Sequence, residues 1–206
     1  MTPFGEVIRT PARGMLMGNR GRLHDAARRL VRQVVPSYRA WVTCVLEFKG
    51  RRRVVMTPGR YTELFFLDEA TALAAGHRPC GECRRSDYRR FKAAWLSANA
   101  ERGLGADPAI AALDRELHRD RLGSDGRQRT FAAALGRLPD GVFVSLPDRG
   151  EPFLIWRDAL WAWSPAGYVG SRARPAAIEV TVLTPRSTVA AIVAGYTATV
   201  HPSIPR

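Results

Sequence analysis

Only two lysines, Lys49 and Lys92, occur among the 32 basic residues of this 206-residue chain. The preference for arginine by itself is what a GC-rich genome produces. Cysteine is scarce too, with three residues, which excludes a disulfide framework. No apolar run reaches the roughly 18 residues of a membrane helix, so no membrane partner is expected. The N-terminal stretch MTPFGEVIRTPARG lacks the apolar segment of a signal peptide. A cytoplasmic protein is expected, nucleoid-associated if it binds DNA. Apolar content of 46% and charged content of 25% exclude disordered, collagen-like and low-complexity classes.

Acidic residues are missing from one half only. Residues 1–103 carry 20 basic and 9 acidic side chains, whereas residues 104–206 carry 12 and 10. Base composition explains arginine in place of lysine, but not this asymmetry. A one-sided surplus suits a polyanion, and nucleic acid is the default polyanion.

Periodicity predicts an α+β chain. Asp25 opens a helix to about Val35, with Ala27, Leu30, Val31 and Val34 on one stripe. Residues 40–48 alternate as a strand, placing Val42, Cys44, Leu46 and Phe48 on the more apolar face. Short strands are expected at 54–56 and 62–67. Asp68 caps a helix over 69–75, stopped by Gly76 at the C′ position. Further helices are predicted at 86–100 and 108–122. The remainder reads as mainly β, with a hairpin over 142–157, a strand at 178–183 and a short helix ending at Gly195. Two arrangements are open: a basic zinc-binding part (1–103) followed by a helix and β-rich part (104–206), or one continuous core.

The densest chemistry lies in Gly76-His77-Arg78-Pro79-Cys80-Gly81-Glu82-Cys83. Two thiolates across a glycine-containing knuckle can meet one tetrahedral Zn²⁺. A redox pair is the rival reading, but such a pair normally sits between a strand and a helix; this one follows a helix. The stretch from Phe66 to Cys83, a helix closed by Ala-Gly, then Arg-Pro and Cys-x-x-Cys, resembles the metal-binding module of Ada-type DNA alkylation-repair proteins. The resemblance implies zinc and DNA contact. That module's upstream Cys-x-x-x-Cys pair, which includes its methyl-accepting thiolate, has no counterpart here.

The expected ligand set is His24, Cys44, Cys80 and Cys83, holding a structural zinc. Cys44 has a second reading as an ordinary core cysteine. His77 takes the place of a packing aromatic in the related module, and His118 and His201 rank below His24.

Three further groups are set against plainer alternatives. Asp114 and His118, four apart on a helix, could form a carboxylate-oriented base or lie on an ordinary charged face. Glu63 and Asp68 flank an apolar strand and complete the weak catalytic candidates. Trp156, Trp161, Trp163 and Tyr168 read as hairpin core, or as rings that stack on bases, with at least one tryptophan partly exposed. Nucleic-acid contacts are expected from Arg51, Arg52, Arg53, Arg85, Arg89, Lys92, Arg127 and Arg129, joined by Trp161 and Trp163. DNA is expected over RNA, in the repair or processing of damaged or modified DNA. The competing classes are a DNA-acting hydrolase (nuclease or base-excising glycosylase) with a structural zinc, and a small RNA-binding zinc protein.

Overall fold

A computed structural model describes residues 1–51, 54–147 and 149–205, and it is mixed α+β. Arg52 and Arg53, expected at a nucleic-acid surface, fall outside the described residues. Two sheets flank a short helix. The first has four strands, β1 (Leu16–Asn19), β2 (Val42–Cys44), β3 (Leu64–Phe66) and β4 (Arg78–Pro79), in the order β3-β1-β2-β4. β1 runs antiparallel to β2 and β3, whereas β4 pairs parallel to β2 along its outer edge. Pro79 has no N–H to donate and is tolerated there because β4 is an edge.

Helix α1 (Glu69–Ala74) follows β3, and all six of its residues are buried. Small side chains make that possible, since Ala70, Ala72 and Ala74 let neighbouring elements approach closely. Asp68 caps the helix by accepting from the Thr71 amide at 2.8 Å. At the other end, the Gly76 and His77 amides donate to the Leu73 and Ala72 carbonyls, a Schellman closure. Gly76 takes φ of +77°, a value that favours glycine.

Helices α2 (Arg85–Ala98) and α3 (Ile110–Arg121) come next. The second sheet then forms from β5 (Phe131–Ala134), β6 (Phe143–Ser145), β7 (Pro152–Trp156), β8 (Ala159–Ser164), β9 (Gly167–Ala173) and β10 (Glu179–Val182). Its order is β5-β10-β6-β7-β8-β9, with every pairing antiparallel. Helix α4 (Arg186–Val193) packs on α2.

One large hydrophobic cluster draws from both halves of the sequence, from Leu67, Leu73, Phe91 and Trp95 through Leu154, Val182 and Ile204. A smaller one lies under the first sheet, around Leu23, Leu64 and Phe66. Two buried carboxylates at the start of α1 add polar ties to the C-terminal segment. Asp68 accepts from the Tyr168 hydroxyl at 2.7 Å and the His201 amide at 3.0 Å. Glu69 accepts from Arg84, from the Tyr196 hydroxyl and from the Thr199 amide.

The structure corrects two expected elements. Residues 25–35 form no helix: the Asp25 side chain accepts from the Arg29 amide, Arg28 turns to φ of +60°, and His24 bridges back to Leu30. Leu30 and Val31 of the expected apolar stripe are exposed, so no packing partner stabilises a helix there. Residues 54–56 are a turn rather than a strand, with Met56 at φ of +55°.

Candidate metal centre

The strand carrying Cys44 is shorter than expected, and its faces are reversed. Trp41 and Thr43 are buried, while Val42 and Cys44 are only half-buried. Cys44 is therefore not a core side chain. The parallel pairing of β2 with β4 sets Val42 beside Arg78 and Thr43 beside Pro79. The Cys80 amide extends this pairing by donating to the Thr43 carbonyl at 2.8 Å. The next residue of each segment is thus a cysteine, and the two are neighbours.

The knuckle brings in the third thiol. The Arg84 amide donates back to the Cys80 carbonyl at 3.1 Å, and this turn returns Cys83 toward Cys80 just before α2. The sulfurs of Cys44, Cys80 and Cys83 lie within 4.8 Å of one another, close enough to hold a metal ion. All three are free and half-buried.

Their acidities are unequal. Hydrogen bonding from Cys44, with help from the Cys83 and Glu82 amides, lowers the Cys80 thiol to about 5. The Glu82 amide stands 3.4 Å from its sulfur. Cys44 is pushed up by its bond to Cys80 and by burial, and burial raises Cys83. Cys80 is therefore the most acidic of the three thiols.

His24 does not join this group. Its Nδ1 lies 2.7 Å from the Thr62 hydroxyl and its Nε2 3.2 Å from the Thr57 carbonyl, so both ring nitrogens have partners under the turn at 57–62. Among the described residues the cluster holds three ligand atoms rather than the expected four. A cavity of about 30 Å³ adjoins the thiols, lined also by Met17, Phe48, Arg51 and Glu82. Arg51 donates to Glu82 at 2.8 Å, which brings the basic turn at 49–51 against the knuckle.

The weak catalytic candidates have other partners. Asp114 does not orient His118: it accepts from Arg78 Nε and Nη2 at 2.7 and 2.8 Å. His118 Nδ1 faces Arg121 Nη2 at 3.0 Å. Burial and Arg121 hold the His118 imidazole below its ordinary pKa. Both Asp68 oxygens are occupied by α1 and the C-terminal ties, and Glu63 accepts from the Met56 amide at 2.8 Å.

Arg85 and Arg89 are exposed along α2. Lys92 is turned instead to Asp107 and the Pro108 carbonyl. Arg127 and Arg129 are exposed in the loop after α3, where Arg129 Nε donates to the Leu122 carbonyl. Trp161 and Trp163 are half-buried against the main core, and a bulge in the β8–β9 pairing falls between them. The Trp161 indole N–H donates to the Trp156 carbonyl at 3.1 Å.

Sequence reasoning passes over Arg20 and Arg121, which are almost completely buried. In a chain this rich in arginine, spacing gives no signal that two of them lie inside. The chain matches no protein-family model, no curated protein and no solved structure.

Proposed function

We propose that this chain is a zinc-stabilised DNA-binding protein that acts on damaged or modified DNA. The observation that carries the metal part of the reading is the meeting of Cys44, Cys80 and Cys83 from two chain segments within 4.8 Å. A site made only of thiolates selects soft or borderline ions, and zinc is the redox-silent choice. A closed structural zinc takes four protein ligands, and the described residues supply three of them. The role of the ion is structural, since it would tie β2 to the start of α2.

DNA is proposed as the partner from charge. The surplus of basic residues lies in the half that holds the thiols. Lys49, Arg51, Arg85 and Arg89 are exposed on the turn and the helix that flank the knuckle. The resemblance of residues 66–83 to a DNA-repair metal module supports the same assignment.

A salt titration of duplex binding tests the reading. Each phosphate contact contributes a slope of about −0.9 in log K against log salt. The variant Arg51→Gln/Arg85→Gln/Arg89→Gln should flatten the slope by about two to three units and weaken all sequences alike. Equal slopes for variant and wild type, or no binding at low salt, would remove DNA as the partner.

A further inference from the structure

Arg20, just after β1, and Arg121, at the end of α3, are each only 1% exposed. Their Cζ atoms lie 4.8 and 4.2 Å from the centroid of the Trp41 ring. Arg20 Nη2 donates to the Gly5 carbonyl at 2.9 Å. Arg121 Nη1 donates to the Gly76 carbonyl at 2.8 Å, while its Nη2 serves the Arg39 carbonyl and His118. In both residues the Nε–H has no acceptor.

Neither guanidinium forms an ion pair among the described residues. Asp114, the carboxylate whose field reaches Arg121, is already held by Arg78. Burial lowers Arg20 to about 10 and Arg121 to about 9. Buried charges in folded proteins are paired or bound to something that neutralises them. Neither has a carboxylate partner among the described residues, and both pack against the Trp41 ring.

Both line one cavity of about 460 Å³, within the range of small-molecule sites. The other charged groups in its wall are Arg127, on the exposed loop, and Glu6. Three cations against one carboxylate leave two positive charges in excess. Gln128 also lines the cavity. Its Nε2 donates to the carbonyls of Pro3, Ala74 and Leu183, which fixes the amide and leaves Oε1 without a donor.

We infer that this cavity binds a phosphate monoester, with Arg20 and Arg121 as its buried counter-charges and Arg127 as its solvent-side contact. A carboxylate would neutralise one of the two excess charges, whereas a phosphate monoester carries nearly two at neutral pH. Its oxygens are hydrogen-bond acceptors, and the Nε–H groups of Arg20 and Arg121 are the donors left without one. The ester has two possible sources, a free sugar or nucleoside monophosphate and the 5′-terminal phosphate of a strand. The inference does not depend on the DNA-binding reading.

The test is calorimetric titration and thermal melting of the full chain. The probes are ribose 5-phosphate, ribose, and one oligonucleotide with a 5′-phosphate or a 5′-hydroxyl. Ribose 5-phosphate, or the phosphorylated strand beyond its hydroxyl control, should bind and raise the melting temperature. The responding probe identifies the source. Arg127→Gln should weaken that binding about tenfold, the loss of one charge-assisted contact. Arg20→Met should abolish the ligand-dependent shift while melting no lower than wild type without ligand, because an apolar side chain relieves the buried charge. If Arg20→Met does not fold, Arg127→Gln decides. No response to either phosphate ester, or wild-type affinity in a folded variant, overturns the assignment. Binding of the 5′-hydroxyl strand reports on the DNA reading separately.

Discussion

Arg78 reaches from β4 to Asp114 on α3 and meets both carboxylate oxygens, Nε on Oδ1 at 2.7 Å and Nη2 on Oδ2 at 2.8 Å. Both side chains are buried. The pair sits two residues before the knuckle, so it fixes the strand that delivers Cys80 against the helix behind it. Asp114→Asn should cost about 3 kcal/mol, because it leaves a buried guanidinium without its counter-charge. An apolar pair, Arg78→Met with Asp114→Leu, should recover most of that loss. Urea denaturation of the three proteins measures both. A loss below about 1 kcal/mol for Asp114→Asn would show the pair to be dispensable.

Gly76 should tolerate no side chain. Its φ is +77°, and an added Cβ would stand 2.7 Å from Arg121 Cδ and 2.9 Å from Arg121 Cβ. Gly76→Ala should therefore destabilise by about 1–3 kcal/mol, combining backbone strain with a shift of the buried arginine. Thermal melting checks this, and a wild-type melting temperature would contradict it.

Stability should fall in acid through His77. The ring is fully buried against Trp41 and Phe66, and its Nδ1 lies 2.9 Å from the Ala75 carbonyl. Burial first, then the fields of Arg20 and Arg121, hold its pKa well below the ordinary histidine value. The unfolded chain protonates near about pH 6.5 and the folded chain does not, so the unfolded state binds the extra proton. The stabilisation is complete above that pH and is lost as pH falls, by up to about 1.4 kcal/mol per pH unit. His77→Phe should flatten the fall between pH 6.5 and 5, measured as urea midpoints. An unchanged slope would place the acid sensitivity elsewhere.

Much of the fold was readable where a local rule and the packing agreed. Asp68, the alanine-rich turn and Gly76 defined α1, because cap and closure are local. The hairpin at β6–β7 followed from alternation around a turn. The helix expected at 25–35 failed because periodicity does not show whether a stripe has anything to bury against. β1 was hidden in a glycine-rich stretch, and its strand character comes from its partners β2 and β3.

At the site, the pairing of Cys80 and Cys83 was legible from spacing and context. The knuckle lies between β4 and α2 rather than directly after a helix, so it is the third thiol of Cys44, not the setting, that favours metal over a redox pair. The place of Cys44 depends on a parallel pairing across more than thirty residues, which the sequence does not announce. His24 ranks first among the histidines by its place before the expected helix at 25–35, but that helix is absent and its polar partners Thr57 and Thr62 lie far along the chain. The pairing of Asp114 with Arg78 rather than His118 is likewise a long-range contact.

Metal content tests the central claim most directly. Purified wild-type protein should contain about one zinc per chain by elemental analysis, and a strong chelator should lower its melting temperature. Cys44→Ser, Cys80→Ser and Cys83→Ser should each lose the metal, whereas His24→Ala should retain it even if less stable. Wild-type protein free of zinc and indifferent to the chelator, or a Cys44→Ser variant that keeps its full complement, would contradict the three-thiolate centre.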